Sequence, residues 1–191
     1  MARRASLWPE RGQWRPLAAM AASAVLSAST AALLLGRHRI PAGISAVGSG
    51  AALFAGSVLG ATDSEENGGD RRRAELAERI LDLVFDASIL VPLAWVLRGA
   101  SSRSAILAIV GLSASYVASY QRARGESLGY VGSESLAYRV TRESMLVLGL
   151  LTGWVTGTLW AFTVVAAAAM CARAWNIVRQ ERRSRASLGA S

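Results

Sequence analysis

The sequence predicts an all-α, polytopic membrane protein with six transmembrane helices, N-in and C-in. Three observations predict it. Hydrophobic residues make up 52% of the 191, with a mean hydropathy of +0.32. Apolar runs near the ~20 residues needed to cross a bilayer recur along the whole chain. Arginines alternate between rich and poor segments from one run to the next.

The length suits one domain. Residues 1–16 form a basic N-terminal segment, 17–178 the membrane domain and 179–191 a basic tail. All 21 Lys+Arg residues are Arg, the net charge is +8 and the isoelectric point about 11.1. The arginines are scattered among apolar runs rather than gathered on one polar face, which favours anionic lipid or phosphate partners and argues against nucleic acid. The single cysteine, Cys171, excludes an intrachain disulfide and a Cys-based zinc site. An Arg-containing start followed by an apolar run resembles a signal peptide, but further apolar runs make a retained first span the better reading.

The elements follow in order. Residues 1–16 carry Trp8 and Trp14, suited to a membrane interface. The first span is 17–35. Arg37, His38 and Arg39, then Pro41, make a short turn. The second span, 40–61, contains Ala52, Gly56 and Gly60 at intervals of four, a small-residue ridge that admits a close helix. The third span, 76–97, holds Pro92, a site for a kink. Residues 98–103 turn, 104–120 form the fourth span, and 121–143 are a polar loop or helix extension. Residues 145–172 are unbroken apolar sequence. One helix of that length would reach about 42 Å against a core of about 30 Å; one tilted helix and two helices divided at 153–158 (GWVTGT) are both open on length, and topology favours two. Gly149, Gly153 and Gly157 suggest a second small-residue ridge. Trp154, Trp160 and Trp175 suit an interfacial belt.

Arginine placement tests the count. With six spans and the N-terminus inside, 17 arginines fall in inner segments and 4 in outer turns: Arg37, Arg39, Arg98 and Arg103. No acid lies in an outer turn. The positive-inside rule supports this topology and puts the candidate chemistry on the cytoplasmic side.

That chemistry centres on residues 63–86, DSEENGGDRRRAELAERILDLVFD, which hold eight of the thirteen acids. Glu75, Glu78, Asp82 and Asp86 recur at spacings of three and four, one face of a helix. Asp82 and Asp86 run into the apolar sequence of a span, where each carboxylate is costly unless paired, solvated or metal-bound. Read locally, these acids face further acids rather than a basic partner. A divalent cation resolves such repulsion, and an oxygen-only ligand set favours Mg²⁺ or Mn²⁺.

At these residues the chain resembles the CDP-alcohol phosphatidyltransferases, whose signature has the form D-x2-D-G-x2-A-R-x8-G-x3-D-x3-D. Asp82 and Asp86 fall where the signature ends. Asp63, Glu66, Asn67, Asp70 and Arg71 can be laid over its first half, with Glu for Asp, Asn for Gly and Asp for Ala. The gap to Glu78 is then shorter than in the signature, and Glu78 replaces its glycine. Beyond the fourth span, residues 119–129 (SYQRARGESLG) look like the S-Y-x-R-A-R-x-E-x-L-G stretch of bacterial, phosphatidylinositol-phosphate synthase-like members. Arg139 and Arg142 sit where those members have E-R-x2-R, with Tyr138 in place of the acid. Residues 159–160 through 174–180 resemble the last helix, so the resemblance covers about 44–180.

The resemblance implies transfer of a phosphatidyl or phosphoalcohol group from a CDP-linked lipid donor to an alcohol or phosphoalcohol acceptor, releasing CMP. It implies Asp63, Glu66 and Asp82 as metal ligands and Asp86 as base and metal ligand. Asn67, Arg71 and Glu78 would lie at the nucleotide phosphates, and Arg122, Arg124, Arg139 and Arg142 at an anionic acceptor or lipid phosphate. It further implies a possible homodimer and the bacterial cytoplasmic membrane. Such transfer needs metal to offset charge and a base for the hydroxyl proton, and Arg grips phosphate bidentately. The substitutions open a second expectation. Glu78 in place of glycine adds bulk and negative charge beside a pyrophosphate, unless Arg79, Arg73 or a metal pairs with it. The alternatives are a divergent phosphotransferase, or a catalytically inactive member of the same fold acting as a membrane partner or lipid-binding subunit.

Overall fold

The computed structural model describes the backbone of residues 14–67, 71–129 and 136–188, and side chains within 16–59, 76–125, 127–129 and 138–180. Among the described residues the structure has six helices and no strand: α1 (Trp14–Leu35), α2 (Arg39–Asn67), α3 (Arg71–Leu97), α4 (Ser102–Ser127), α5 (Leu136–Thr152) and α6 (Val155–Leu188). Five are long and apolar enough to cross a membrane. The exception is α5, with 17 residues. Its first turns carry Arg139, Arg142 and Glu143, so its apolar part begins only at Met145. Helix flanks the acidic stretch on both sides: α2 runs on to Asn67 and α3 begins at Arg71.

The long apolar run divides inside the expected window. α5 ends at Thr152, and Gly153 takes φ +79 before α6 begins at Val155. A side chain there would need a left-handed backbone, and its Cβ would collide with the Arg39 guanidinium. The ridge expected from Gly149, Gly153 and Gly157 is therefore not one helix face. Gly149 lies on α5 against Thr158, Gly153 makes the turn, and Gly157 opens α6 beneath the Trp154 ring. Gly56 of the first ridge does admit a close neighbour: a Cβ there would stand 3.2 Å from Met20 on α1.

The central helix is α3, which packs against α1, α2 and α4, while α5 packs against α2 and α6, and α4 against α6. Phe85, Ile89 and Leu90 of α3 form the middle of the core. Ala42 and Ala46 of α2, Leu146 and Leu150 of α5, and Leu159 and Phe162 of α6 close around them. Hydroxyls tie the helices where lipid offers no competing partner. Ser49 Oγ donates to the Ser23 carbonyl at 2.9 Å and lies 2.8 Å from Ser27 Oγ, linking α2 to α1. Thr163 Oγ1 donates to the Leu107 carbonyl, linking α6 to α4. Outside, Val25, Ile44, Ile106, Trp160 and Val164 are exposed. A surface of this kind is costly in water and matched to hydrocarbon. The fold is that of a multi-pass helical membrane protein.

Candidate functional site: a buried carboxylate–arginine cluster

Glu78, Asp82 and Asp86 recur every four residues on α3, so the helix aligns them along one face. On α5, Arg139 and Arg142 are three apart and project toward the same face. The Arg139 guanidinium spans two of the acids: Nη1 donates to Glu78 Oε1, and Nη2 lies 3.1 Å from Asp82 Oδ1. Arg142 takes the third, with Nη2 3.4 Å from Asp86 Oδ2. Asp86 is 0% exposed. Ser115 of α4 donates its hydroxyl to Asp86 Oδ2 at 3.0 Å, so three helices meet on one carboxylate. Farther along, the Tyr138 ring lies between the Arg142 and Arg173 guanidinium groups at 5.9 and 5.7 Å, and Arg173 donates to the Ala118 carbonyl at 2.8 Å.

This geometry corrects two expectations. The acids of α3 face a basic partner, not only further acids. Glu78 is met by Arg139 of α5, a partner its position in the sequence did not suggest. The reason is the docking of α5, which brings two guanidinium groups to α3 from more than fifty residues away in sequence. Arg139 and Arg142, expected at an anionic acceptor or lipid phosphate, meet carboxylates of α3. Breaking a buried pair of this kind leaves an uncompensated charge, so the cluster fixes α5 against α3.

The other expected residues lie on α2, α3 and α4. Asp63, Glu66 and Asn67 belong to the last turns of α2, and Arg71 opens α3; their side chains, and all of Asp70, lie outside the described residues. Arg122 and Arg124 sit about two turns beyond Ser115 along α4, Arg122 half-buried and Arg124 exposed. Among the described residues no group of three or more His, Cys, Asp or Glu side chains converges as a metal site. As arranged, Asp82 and Asp86 each meet a guanidinium, and the side chains of Asp63 and Glu66, the other expected ligands of Mg²⁺ or Mn²⁺, lie outside the described residues.

Two participants were not anticipated. Ser115 lies in an apolar run among other serines and gave no signal. Glu143 did carry one: it is an isolated acid four residues after Arg139, just ahead of the apolar part of α5. Glu143 and Arg139 also stand at the polar end of a groove of about 640 Å³ between α2 and α5, floored by Phe85.

Fold and cluster together define a multi-pass helical membrane protein with a buried carboxylate–guanidinium centre. No protein-family model matches the chain, and no curated protein matches it.

Proposed function

We propose that this chain is a non-catalytic membrane protein of CDP-alcohol phosphatidyltransferase-like design, acting in the bacterial cytoplasmic membrane as a lipid-binding partner subunit. The observation that carries this reading is the pairing of Asp82 with Arg139 and of Asp86 with Arg142. A transferase of the resembled type uses those positions to hold metal and to take a proton. Here their charge is compensated from within the chain. Glu78 supports the same reading, since it stands where the signature has glycine and is drawn into the arginine network. All six helices cross in this proposal, with both ends inside. The arginine distribution supports that orientation, and α5 crosses as a short helix whose charged start is held by the cluster.

One observation favours the divergent transferase as a second reading. Asp82 and Asp86 both project from α3 into the bundle, one turn apart, as a signature ending in D-x3-D requires. That reading needs α5 to release both arginines. An assay separates the two: the purified full chain, with Mg²⁺ or Mn²⁺, CDP-diacylglycerol and a panel of alcohols and phosphoalcohols, followed by CMP release. The expected result is no CMP above a protein-free control and no heat of CDP binding. CMP release that disappears in Asp82→Asn and Asp86→Asn overturns the non-catalytic reading.

A further inference from the structure

The three short turns of the bundle share one end. α1 ends at Leu35 and α2 begins at Arg39; α3 ends at Leu97 and α4 begins at Ser102; α5 ends at Thr152 and α6 begins at Val155. The Arg39 guanidinium lies against Gly153, which brings the first turn to the third. Ser104 Oγ and Thr156 Oγ1 stand 3.1 Å apart, which brings the second turn to the third. This end carries Arg37, Arg39, Arg98 and Arg103, all exposed. It carries no acid: residues 16–62, 87–125 and 144–180 contain no Asp or Glu. Along their helices the nearest acids are Asp86 and Glu143, which lie roughly 15–18 Å from the turns at helical rise. Four cations therefore share a surface that the chain itself does not neutralise.

Two features argue for what neutralises them. The turns are two to four residues long, so nothing at this end projects beyond lipid headgroups to meet a soluble partner. Exposed apolar side chains also reach right up to the arginines: Leu35 and Ile40 flank the first turn, Trp95 precedes Arg98, and Trp154 lies in the third turn. The Arg98 guanidinium sits 3.4 Å from the centre of the Trp95 ring. Arginine and tryptophan together at helix ends mark the level where hydrocarbon gives way to phosphate.

We infer that this end of the bundle binds anionic phospholipids, with their phosphates against Arg37, Arg39, Arg98 and Arg103. The charge balance selects among lipids. A choline or ethanolamine lipid brings one ammonium with each phosphate and leaves the four positive charges uncompensated. A lipid with a phosphate and no amine neutralises one arginine per headgroup, and guanidinium grips phosphate oxygens well.

This inference rests on the membrane-spanning reading above, and its test separates the two. Trp154 is kept as the one reporter, with Trp8→Phe, Trp14→Phe, Trp95→Phe, Trp160→Phe and Trp175→Phe. The full chain is placed in vesicles of equal parts phosphatidylglycerol and phosphatidylcholine, with bromine on the acyl chains of one lipid or the other, and quenching of Trp154 fluorescence is read. Arginines at the opposite end lie about 30 Å from this reporter. The glycerol lipid is expected to associate about fivefold more tightly than the choline lipid, the attraction of one arginine for an anionic surface. Salt at about 1 M, where charge reaches only about 3 Å, should reduce that preference to about twofold or less. Arg37→Gln, Arg39→Gln, Arg98→Gln and Arg103→Gln together should remove it. Helical circular dichroism and a single gel-filtration peak qualify that variant as folded; if it misfolds, the first two measurements decide. Equal quenching by the two lipids, or a preference that survives the four substitutions, overturns this inference and leaves the membrane reading standing. Quenching by neither lipid overturns both.

Discussion

Arg142 meets Asp86 at 3.4 Å where the carboxylate is fully sealed from solvent and lipid. The two residues lie on α5 and α3 and are separated by 56 positions, and Ser115 of α4 donates to the same carboxylate oxygen. A charge in that position has no route to water, so its compensation comes from the protein itself. Arg142→Leu should therefore destabilise the fold by roughly 3–5 kcal/mol, the cost of stranding a buried charge. The paired change Asp86→Leu with Arg142→Leu should recover most of that loss, because two apolar residues need no partner. Thermal unfolding in detergent checks both. A double variant no more stable than Arg142→Leu alone rejects the pairing.

Arg139 holds two acids at once, and this sets an order among single substitutions. Asp82→Asn leaves Glu78 as its partner, whereas Arg139→Gln takes the nearest guanidinium from both acids. Arg139→Gln should lower the unfolding midpoint more than Asp82→Asn, by an extra ~1–3 kcal/mol. The same detergent melts read this difference. Equal losses from the two variants would mean that Glu78 contributes nothing.

The helices were more legible than the cluster, for a physical reason. The division of 145–172 followed from its length against the bilayer, from the arginine topology and from the six spans of the resembled family. The turns at 36–38 and 98–101 followed from arginine and glycine at the ends of apolar runs. The partners of Asp82 and Asp86 were not local. Arg139 and Arg142 were visible as a pair three residues apart, but their spacing is equally that of a phosphate clamp. Which anion they meet depends on how α5 docks, and periodicity does not encode that. The short apolar length of α5 was legible, because dividing 145–172 leaves two short helices that extend beyond the run at their polar ends.

Gly153 should be intolerant of any side chain. Its φ of +79 lies in the left-handed region, and a Cβ would collide with Arg39. Gly153→Ala is expected to cost about 1–3 kcal/mol from backbone strain before any displacement of Arg39 is counted. Adding Arg39→Ala should relieve part of that cost, by removing the collision and leaving the strain. Unfolding midpoints of the two singles and the double form the test. Strict additivity would show that the guanidinium does not press on the turn.

The serine contacts between α1 and α2 should be modest individually. Ser49 serves Ser23 and Ser27 together, so Ser49→Ala removes more than Ser27→Ala does. Hydrogen bonds between membrane helices average about 0.6 kcal/mol. Ser49→Ala is therefore expected to cost about 1–2 kcal/mol, and Ser27→Ala about half of that. Thermal melts of the two variants in one detergent decide the order. Equal losses would show that Ser49 has no second partner.

Sidedness is the strongest test of the proposed topology, because it fails in a pattern. With Cys171 replaced by serine, single cysteines at positions 38, 100, 130 and 155 are labelled in intact cells with a membrane-impermeant maleimide. If all six helices cross with both ends inside, 38, 100 and 155 label from outside and 130 does not. Position 155 carries the argument, since it follows α5, the one helix outside the five of span length. If α5 fails to cross, 155 stays protected while 38 and 100 still react. The C-terminal half then reverses, and the tail carrying Arg182, Arg183 and Arg185 would face outward against the positive-inside rule. The arginine cluster makes crossing the expected outcome. Arg139, Arg142 and Glu143 anchor the charged start of α5 against the acids of α3, and the remaining turns run on into apolar core with Leu146 and Leu150 buried. Labelling at 38 and 100 with protection at 155 would therefore reject both the six-span topology and the account of the cluster as the anchor of α5.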